Sequence, residues 1–123
     1  QEKKSIQSKE KNMKIPTKVP EKGFYYHYKH DPAGPVNNYA YEVVGVGCHT
    51  EDDCRPEDAH MVVYRPLYEA FVYKAGRLFD LRPLEMWMGY VELEGKKVSR
   101  FSRITDQSVI DQLEEIKLKM YGA

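Results

Sequence analysis

The sequence predicts a mainly β protein with one C-terminal α-helix, folded as a small, SH3-like, bent β-barrel or half-barrel. Three observations favour this fold. Short segments rich in aromatic and β-branched residues recur along the chain, as in β-strands. Proline and glycine signals separate these segments and predict turns. The final segment instead has apolar residues at helical spacing.

The length and the charge distribution indicate how the chain is divided into domains. The chain has 123 residues, which corresponds to one domain. Residues 1–22 contain seven lysines against three glutamates, two prolines and no aromatic residue. This composition predicts a disordered or loosely attached basic segment, so we expect a single domain over residues 23–123. The chain begins at Gln1, which leaves open whether residues 1–12 are native.

The same numbers disfavour two classes of partner. Outside the basic segment the chain has twelve Lys and Arg against sixteen Asp and Glu. Such an acidic body does not suit a nucleic-acid backbone, which binds to basic surfaces. The sequence also lacks an apolar run of about 18 residues, so we expect no membrane-spanning segment.

The first two predicted strands frame a proline- and glycine-rich loop. A strand is predicted over Phe24–Lys29 and a second over Tyr39–Cys48, with the loop at 30–38. Strand alternation divides the first strand into a core face with Phe24, Tyr26 and Tyr28, and a face toward a binding site with Tyr25, His27 and Lys29.

The central region predicts two more strands and one helical turn. The strands are Met61–Arg65 and Glu69–Lys74, and Gly76 marks the following turn. Arg82 precedes a proline and should be extended. Residues Pro83–Trp87 are compatible with one helical turn that has proline in its first position. A hairpin is then predicted, with strands at 90–93 and 98–103 around Glu94, Gly95 and Lys96.

A helix is predicted over residues 106–121. Its apolar face carries Val109, Leu113, Ile116 and Met120, and Gly122 follows at the position of a C-terminal stop. This face must be covered, because a lone helix of this length is marginal in water. We expect it to pack on an open side of its own barrel, against the patch of Met86, Trp87 and Met88. Pairing with a second copy in a homodimer is the alternative.

Six short strings, in order, resemble a known family. They are Gly23 with Tyr26–Lys29, Tyr41–Val44, His49–Glu51, Val62–Tyr68, Arg82–Trp87 and Gly95–Phe101. This order is similar to the small, mostly bacterial family called domain of unknown function 1653, over about residues 23–101. The chain departs from the family pattern at Thr50, at Phe79–Leu81 and at Ser99. The resemblance implies no particular activity.

The polar residues of the matched strings are the candidate ligand-binding residues. Histidine can act as acid, base or ligand near neutral pH, and an arginine fork binds carboxylate or phosphate. A small anionic ligand or a protein partner is therefore the predicted partner. A purely structural role, with a buried histidine and a loop-tying arginine, is the favoured interpretation of these residues, and a ligand site is the alternative. The candidates are His27, Lys29, His49, Glu51, Tyr64 and Arg82.

The two cysteines leave the compartment open. Cys48 and Cys54 are predicted to be free thiols in a cytoplasmic protein, whereas an exported chain would join them in a disulfide. Their spacing is not that of a zinc knuckle, so no metal site is predicted. No cofactor-binding motif is present either.

The sequence thus predicts a binding or interaction module rather than an enzyme. It contains no nucleophile elbow, no glycine-rich phosphate loop and no catalytic residue that stands out. The alternative is a small enzyme or metabolite-binding domain that uses a pocket of His27, His49, Glu51 and Arg82.

Overall fold

The computed structural model describes residues 19–48, 60–76 and 78–122. These residues form seven strands and three helices. The strands are β1 (Gly23–His27), β2 (Ala40–Cys48), β3 (His60–Pro66), β4 (Asp80–Pro83), β5 (Tyr90–Leu93), β6 (Lys96–Ser99) and β7 (Phe101–Arg103). The helices are α1 (Phe71–Lys74), α2 (Leu84–Trp87) and α3 (Gln107–Tyr121). No helix in this part of the chain is long and apolar enough to cross a membrane.

Five strands form one antiparallel sheet in the order β4-β3-β2-β1-β7, and β5 pairs with β6 in a separate hairpin. The two edge strands of the larger sheet, β4 and β7, are not paired with each other. The mainly β fold with one C-terminal helix is therefore confirmed. The predicted SH3-like barrel is not confirmed, because the described strands do not close into a barrel.

The sheet is covered on both faces. The aromatic face carries a cluster of Tyr25, Val43, Val62, Tyr64 and Phe101, to which α2 adds Leu84 and Trp87. The helix face carries Phe24, Ala40, Leu67 and Ile104, packed against Leu113 of α3. Both clusters exclude water from strand side chains, so alternate residues are buried in different cores.

This two-sided burial corrects the predicted division of the first strand. Phe24 is buried as predicted, and Tyr26 packs against the helix-face cluster. Tyr25 lies opposite Phe24 as predicted, on the same face as His27, but it is buried against Trp87 rather than exposed on that face. Tyr28 lies in the turn that follows β1 rather than in the core, because the strand ends at His27.

The C-terminal helix confirms its predicted position. The side chain of Asp106 accepts hydrogen bonds from the N–H groups of Ser108 and Val109, and Gly122 ends the helix at a φ of 84°. Leu113 is completely buried against the sheet. The predicted facing patch is wrong, however. Trp87 belongs to the aromatic face, while Met86 and Met88 are exposed.

An ion-pair network fastens α3 to the sheet. The Glu42 carboxylate on β2 accepts from Nε of Arg65 on β3 at 2.8 Å and from Nζ of Lys117 on α3 at 2.9 Å. The hydrogen bond with Glu42 raises the pKa of Lys117 above its ordinary value, against a smaller opposing effect of burial. The Arg65 guanidinium also lies 3.9 Å from the Tyr121 ring centroid.

One predicted strand is wrong. Residues Glu69–Lys74 contain the short helix α1 instead, and the fourth strand of the sheet is Asp80–Pro83. Tertiary packing overrides local β-propensity here, since Tyr73 of α1 packs edge-on against Tyr121 of α3, with ring centroids 5.5 Å apart. The second strand of the predicted hairpin is also divided, and its last part, β7, pairs with β1.

The described chain already contacts the domain before the predicted boundary at Gly23. Pro20 is buried, and Val19 packs against the aromatic-face cluster. Residues 1–18 of the predicted basic segment lie outside the described residues, so their predicted disorder stays a prediction.

Candidate functional site

Three predicted site residues, His27, Tyr64 and Arg82, lie on the aromatic face of the sheet. Arg82 donates a hydrogen bond from Nε to the Tyr64 hydroxyl at 3.1 Å. The Arg82 guanidinium carbon lies 5.2 Å from the Phe101 ring centroid. The His27 ring packs edge-on against the same Phe101 ring, with centroids 5.1 Å apart. Phe101 therefore joins the arginine and the histidine into one site.

Strand register explains this convergence. Arg82 on β4 is paired with Val62, and Asp80 is paired with Tyr64. Residues two apart on a strand share a face, so Asp80 and Arg82 lie beside Tyr64. His27 reaches the same face through its pairing with Phe101 on β7.

His27 lies in a positively charged environment. Burial and, in decreasing order, the charges of Arg82, Lys29 and Arg100 together lower its pKa from 6.5 to about 4. The imidazole is therefore neutral at neutral pH. Its Nδ1 accepts a hydrogen bond from the Lys29 backbone N–H at 3.2 Å, which assigns the ring proton to Nε2.

Tyrosine rings surround these groups. Tyr41 and Tyr68 share a hydroxyl–hydroxyl hydrogen bond of 2.5 Å. Burial raises the pKa of both tyrosines, and for Tyr41 the bond to Tyr68 adds to the rise. Tyr39 stacks beside His27, with ring centroids 5.5 Å apart, and lies 6.0 Å from the Tyr68 ring. The raised pKa values keep the Tyr41 and Tyr68 phenols protonated at neutral pH.

We call this group the tyrosine–arginine site. It consists of His27, Tyr39, Tyr41, Tyr64, Tyr68, Asp80, Arg82 and Phe101. Burial raises the pKa of the Asp80 carboxyl, and the Arg82 guanidinium partly offsets this effect. The described carboxylates nonetheless form no ion pair with Arg82.

Backbone strain accompanies the site at Tyr39. This residue has a φ of 52°, in the left-handed region that non-glycine residues rarely adopt. The preceding loop holds it there. The Asn38 side chain accepts from the Asp31 N–H at 2.8 Å and donates to the Asp31 carbonyl at 3.0 Å. The Tyr39 carbonyl then accepts from the His27 N–H at 3.0 Å. Because strained backbone residues cluster at functional sites, the conformation of Tyr39 supports a functional role for this site.

The remaining predicted site residues have different outcomes. Lys29 is exposed and contributes charge near His27. His49 and Glu51 lie outside the described residues. The sequence reasoning assigned no role in this site to Tyr41, Asp80, Arg100 or Phe101. The alternation of Asp80 and Arg82 was a usable signal, but it was missed because the fourth strand was predicted elsewhere.

The described residues include one of the two cysteines and several potential metal ligands. Cys48, at the end of β2, is disulfide-bonded, so the prediction of free thiols is wrong for this residue. Cys54 lies outside the described residues. Among residues 19–48, 60–76 and 78–122, no group of three His, Cys, Asp or Glu side chains is placed to hold a metal ion.

The fold and the site define a small β-sheet domain with one C-terminal helix and a polar, tyrosine-lined site. Residues 23–103, more than half of the chain, match the family described as protein of unknown function DUF1653. The chain belongs to this family, as the resemblance implied. It is also similar to the crystal structure of a DUF1653 protein from Bordetella bronchiseptica. That chain is 27% identical, with a TM-score of 0.49, and the match covers 69% of this chain and 87% of that one. No curated protein matches the chain.

Proposed function

We propose that this protein is a binding module that holds a small anionic ligand at the tyrosine–arginine site. The observation that carries the proposal is the state of Arg82. Its Nε is bonded to Tyr64 and its Nη1 contacts the Met86 sulfur at 3.3 Å, a weak acceptor. A guanidinium has five N–H donors, so the contacts made by residues 19–48, 60–76 and 78–122 leave Arg82 with donors for a carboxylate or phosphate.

The electrostatics around Arg82 support an anion. Lys29 and Arg100 act on His27 in the same direction as Arg82, which means that three cations surround one neutral imidazole. The Nε2–H of His27 and the tyrosine hydroxyls supply neutral donors beside the guanidinium. An anion at this position gains charge attraction and hydrogen bonds together.

The Asp80 carboxylate limits which anions can bind next to Arg82. Its carboxylate is close enough to Arg82 to feel the guanidinium charge. A simple dianion would be repelled by this carboxylate, whereas a hydroxyl or ammonium group next to the anionic group would be attracted. The preferred ligand therefore has one anionic group and an adjacent donor, as in a hydroxy acid or an amino acid.

The proposal favours binding over catalysis. A histidine with a pKa of about 4 is a weak base at neutral pH, and general-base catalysis works best with a pKa near the operating pH.

We further propose that the sheet bends into the half-barrel predicted from the sequence. The register shift between Val43 and Gly45 and the two glycines of β2 provide a place for the sheet to bend.

A ligand screen tests this function. Lactate, glycine, acetate and inorganic phosphate are titrated into the protein and into Arg82→Gln, with binding measured by calorimetry. We expect lactate or glycine to bind wild type most tightly, and Arg82→Gln to weaken that binding about tenfold or more, the effect of losing a charged hydrogen-bond partner. Arg103→Gln is the matched control, because Arg103 pairs with Glu21 at an exposed position. Binding of none of these anions, or equal binding by Arg82→Gln, contradicts the proposal.

A further inference from the structure

A cavity of about 290 Å³ lies beside the α2 end of the aromatic face, and neither His27 nor Arg82 lines it. Four of its nine lining residues are aromatic. The lining includes Glu21, Tyr25, Trp87, Met88, Tyr90 and Phe101. Its volume suits the head group of a small ligand, at the lower end of the usual range for ligand pockets.

Three buried aromatic rings form the base of the cavity, and one exposed ring lies at its mouth. Trp87 stacks on Phe101, with centroids 3.6 Å apart and planes 5° apart. Tyr25 meets Trp87 edge-on at 5.6 Å. These three residues are buried, whereas Tyr90 on β5 is 58% exposed. A ligand would therefore contact Tyr90 over the largest area and the buried rings at the base.

The cavity lining contains one acidic residue and no basic one. Glu21 lines the cavity, and the segment that carries it is fixed because the Tyr25 hydroxyl donates to the Glu21 carbonyl at 2.9 Å. Glu21 uses Oε2 in an exposed ion pair with Arg103 at 3.3 Å. Such exposed pairs are weak, so this carboxylate can also attract a second cation.

One ring of the cavity already holds an ammonium group. The Lys97 Nζ lies 4.6 Å from the Tyr90 ring centroid, although Lys97 does not line the cavity. This contact shows that a cation can reach the Tyr90 ring. Tyr90 also lines the cavity, where its electron-rich ring can attract a second cation.

We propose that this cavity binds an alkylated ammonium cation. Aromatic rings around an acidic residue bind such cations through the ring quadrupole and the carboxylate together. The methyl groups of a quaternary ammonium also bury apolar surface against Trp87 and Met88. This site is distinct from the proposed anion site: the two share the buried ring of Phe101, but the cation would contact Tyr90 and Glu21, whereas the anion would contact Arg82.

The test uses the fluorescence of Trp87, the single tryptophan of the chain. Tetramethylammonium chloride is titrated into the full chain, with sodium chloride and the neutral isostere neopentyl alcohol in parallel. We expect a saturable change with tetramethylammonium that neither control reproduces. The sodium chloride arm detects any effect of chloride at Arg82, so the two proposals can fail independently. The Trp87 Nε1–H resonance provides a second readout by NMR.

Variants at the mouth of the cavity separate binding from folding. Tyr90→Ala should weaken tetramethylammonium binding about tenfold, whereas Tyr90→Phe keeps the ring and should retain it. Leu93→Ala is the matched control, because Leu93 is exposed on the same strand and does not line the cavity. The proposal is overturned if the alcohol binds as tightly as the cation, if neither readout saturates, or if Tyr90→Ala binds like wild type.

Discussion

Lys117 on α3 reaches the carboxylate of Glu42 on β2, with its Nζ 2.9 Å from Oε2. Arg65 on β3 occupies the other carboxylate oxygen at 2.8 Å. Two strands and the helix therefore meet at one carboxylate that is only 12% exposed. A group in this position holds the helix in register on the sheet, in addition to the apolar contacts around it.

Loss of this carboxylate charge should destabilise the domain. In Glu42→Gln, Arg65 and Lys117 keep their charges but lose their anionic partner. Removing one partner of a buried ion pair costs about 3–5 kcal/mol of the free energy of unfolding. Because this network is partly exposed, we expect a cost of about 2–3 kcal/mol. Urea denaturation measures the free energy of unfolding. The control is Glu114→Gln, because Glu114 contacts Lys117 at 3.7 Å from an exposed position and should cost less than about 0.5 kcal/mol. Equal stability of the two variants would contradict the role of Glu42.

His27 should make the fold less stable in acid. Its folded pKa is about 4, below the value of 6.5 in the unfolded chain, so the unfolded state binds more protons between these values. The stability that His27 contributes is present above pH 6.5 and is lost as the pH falls to about 4. NMR titration of the imidazole C–H resonances measures the folded pKa directly. A His27 midpoint at 6.5 or above would show that the ring is neither desolvated nor surrounded by cations.

The apolar contact between α3 and the sheet should dominate the stability of the helix face. Leu113 has no exposed surface and packs among Phe24, Ala40, Leu67 and Ile104. Leu113→Ala should cost about 2–5 kcal/mol. Leu113→Asp should unfold the monomer, since it buries a charge without a partner. The exposed residue Leu118 provides the control variant Leu118→Asp, which should stay folded. Circular dichroism melts and sedimentation distinguish these outcomes, and a folded, monomeric Leu113→Asp would refute this packing.

The sequence predicted the helix and strands whose determining residues lie within one continuous segment. The α3 helix was predictable because its cap at Asp106, its apolar spacing and its stop at Gly122 lie in one continuous segment. The strands β1, β2 and β3 were predictable from their aromatic and β-branched residues. The β4 strand was not, because its pairing with β3 joins residues such as Val62 and Arg82 that are far apart in sequence.

The candidate site was only partly predictable for the same reason. Histidine and arginine were recognisable as chemically versatile residues, and the structure brings His27 and Arg82 to one ring, Phe101. Tyr25 was assigned to the wrong environment because strand alternation identifies two faces but does not tell whether the second face is covered. Here α2 covers it with Trp87.

If Arg82 anchors an anion, the NMR signal of its Nε–H group must respond when the anion binds. The protein is titrated with sodium lactate, and the Nε–H resonances of all arginines are followed. We expect a saturable shift of the Arg82 signal at the same concentrations that shift the His27 ring, with little change at Arg103. A saturable shift at other arginines while Arg82 and His27 stay unchanged, or no saturable shift with lactate, glycine, acetate or phosphate, would contradict it.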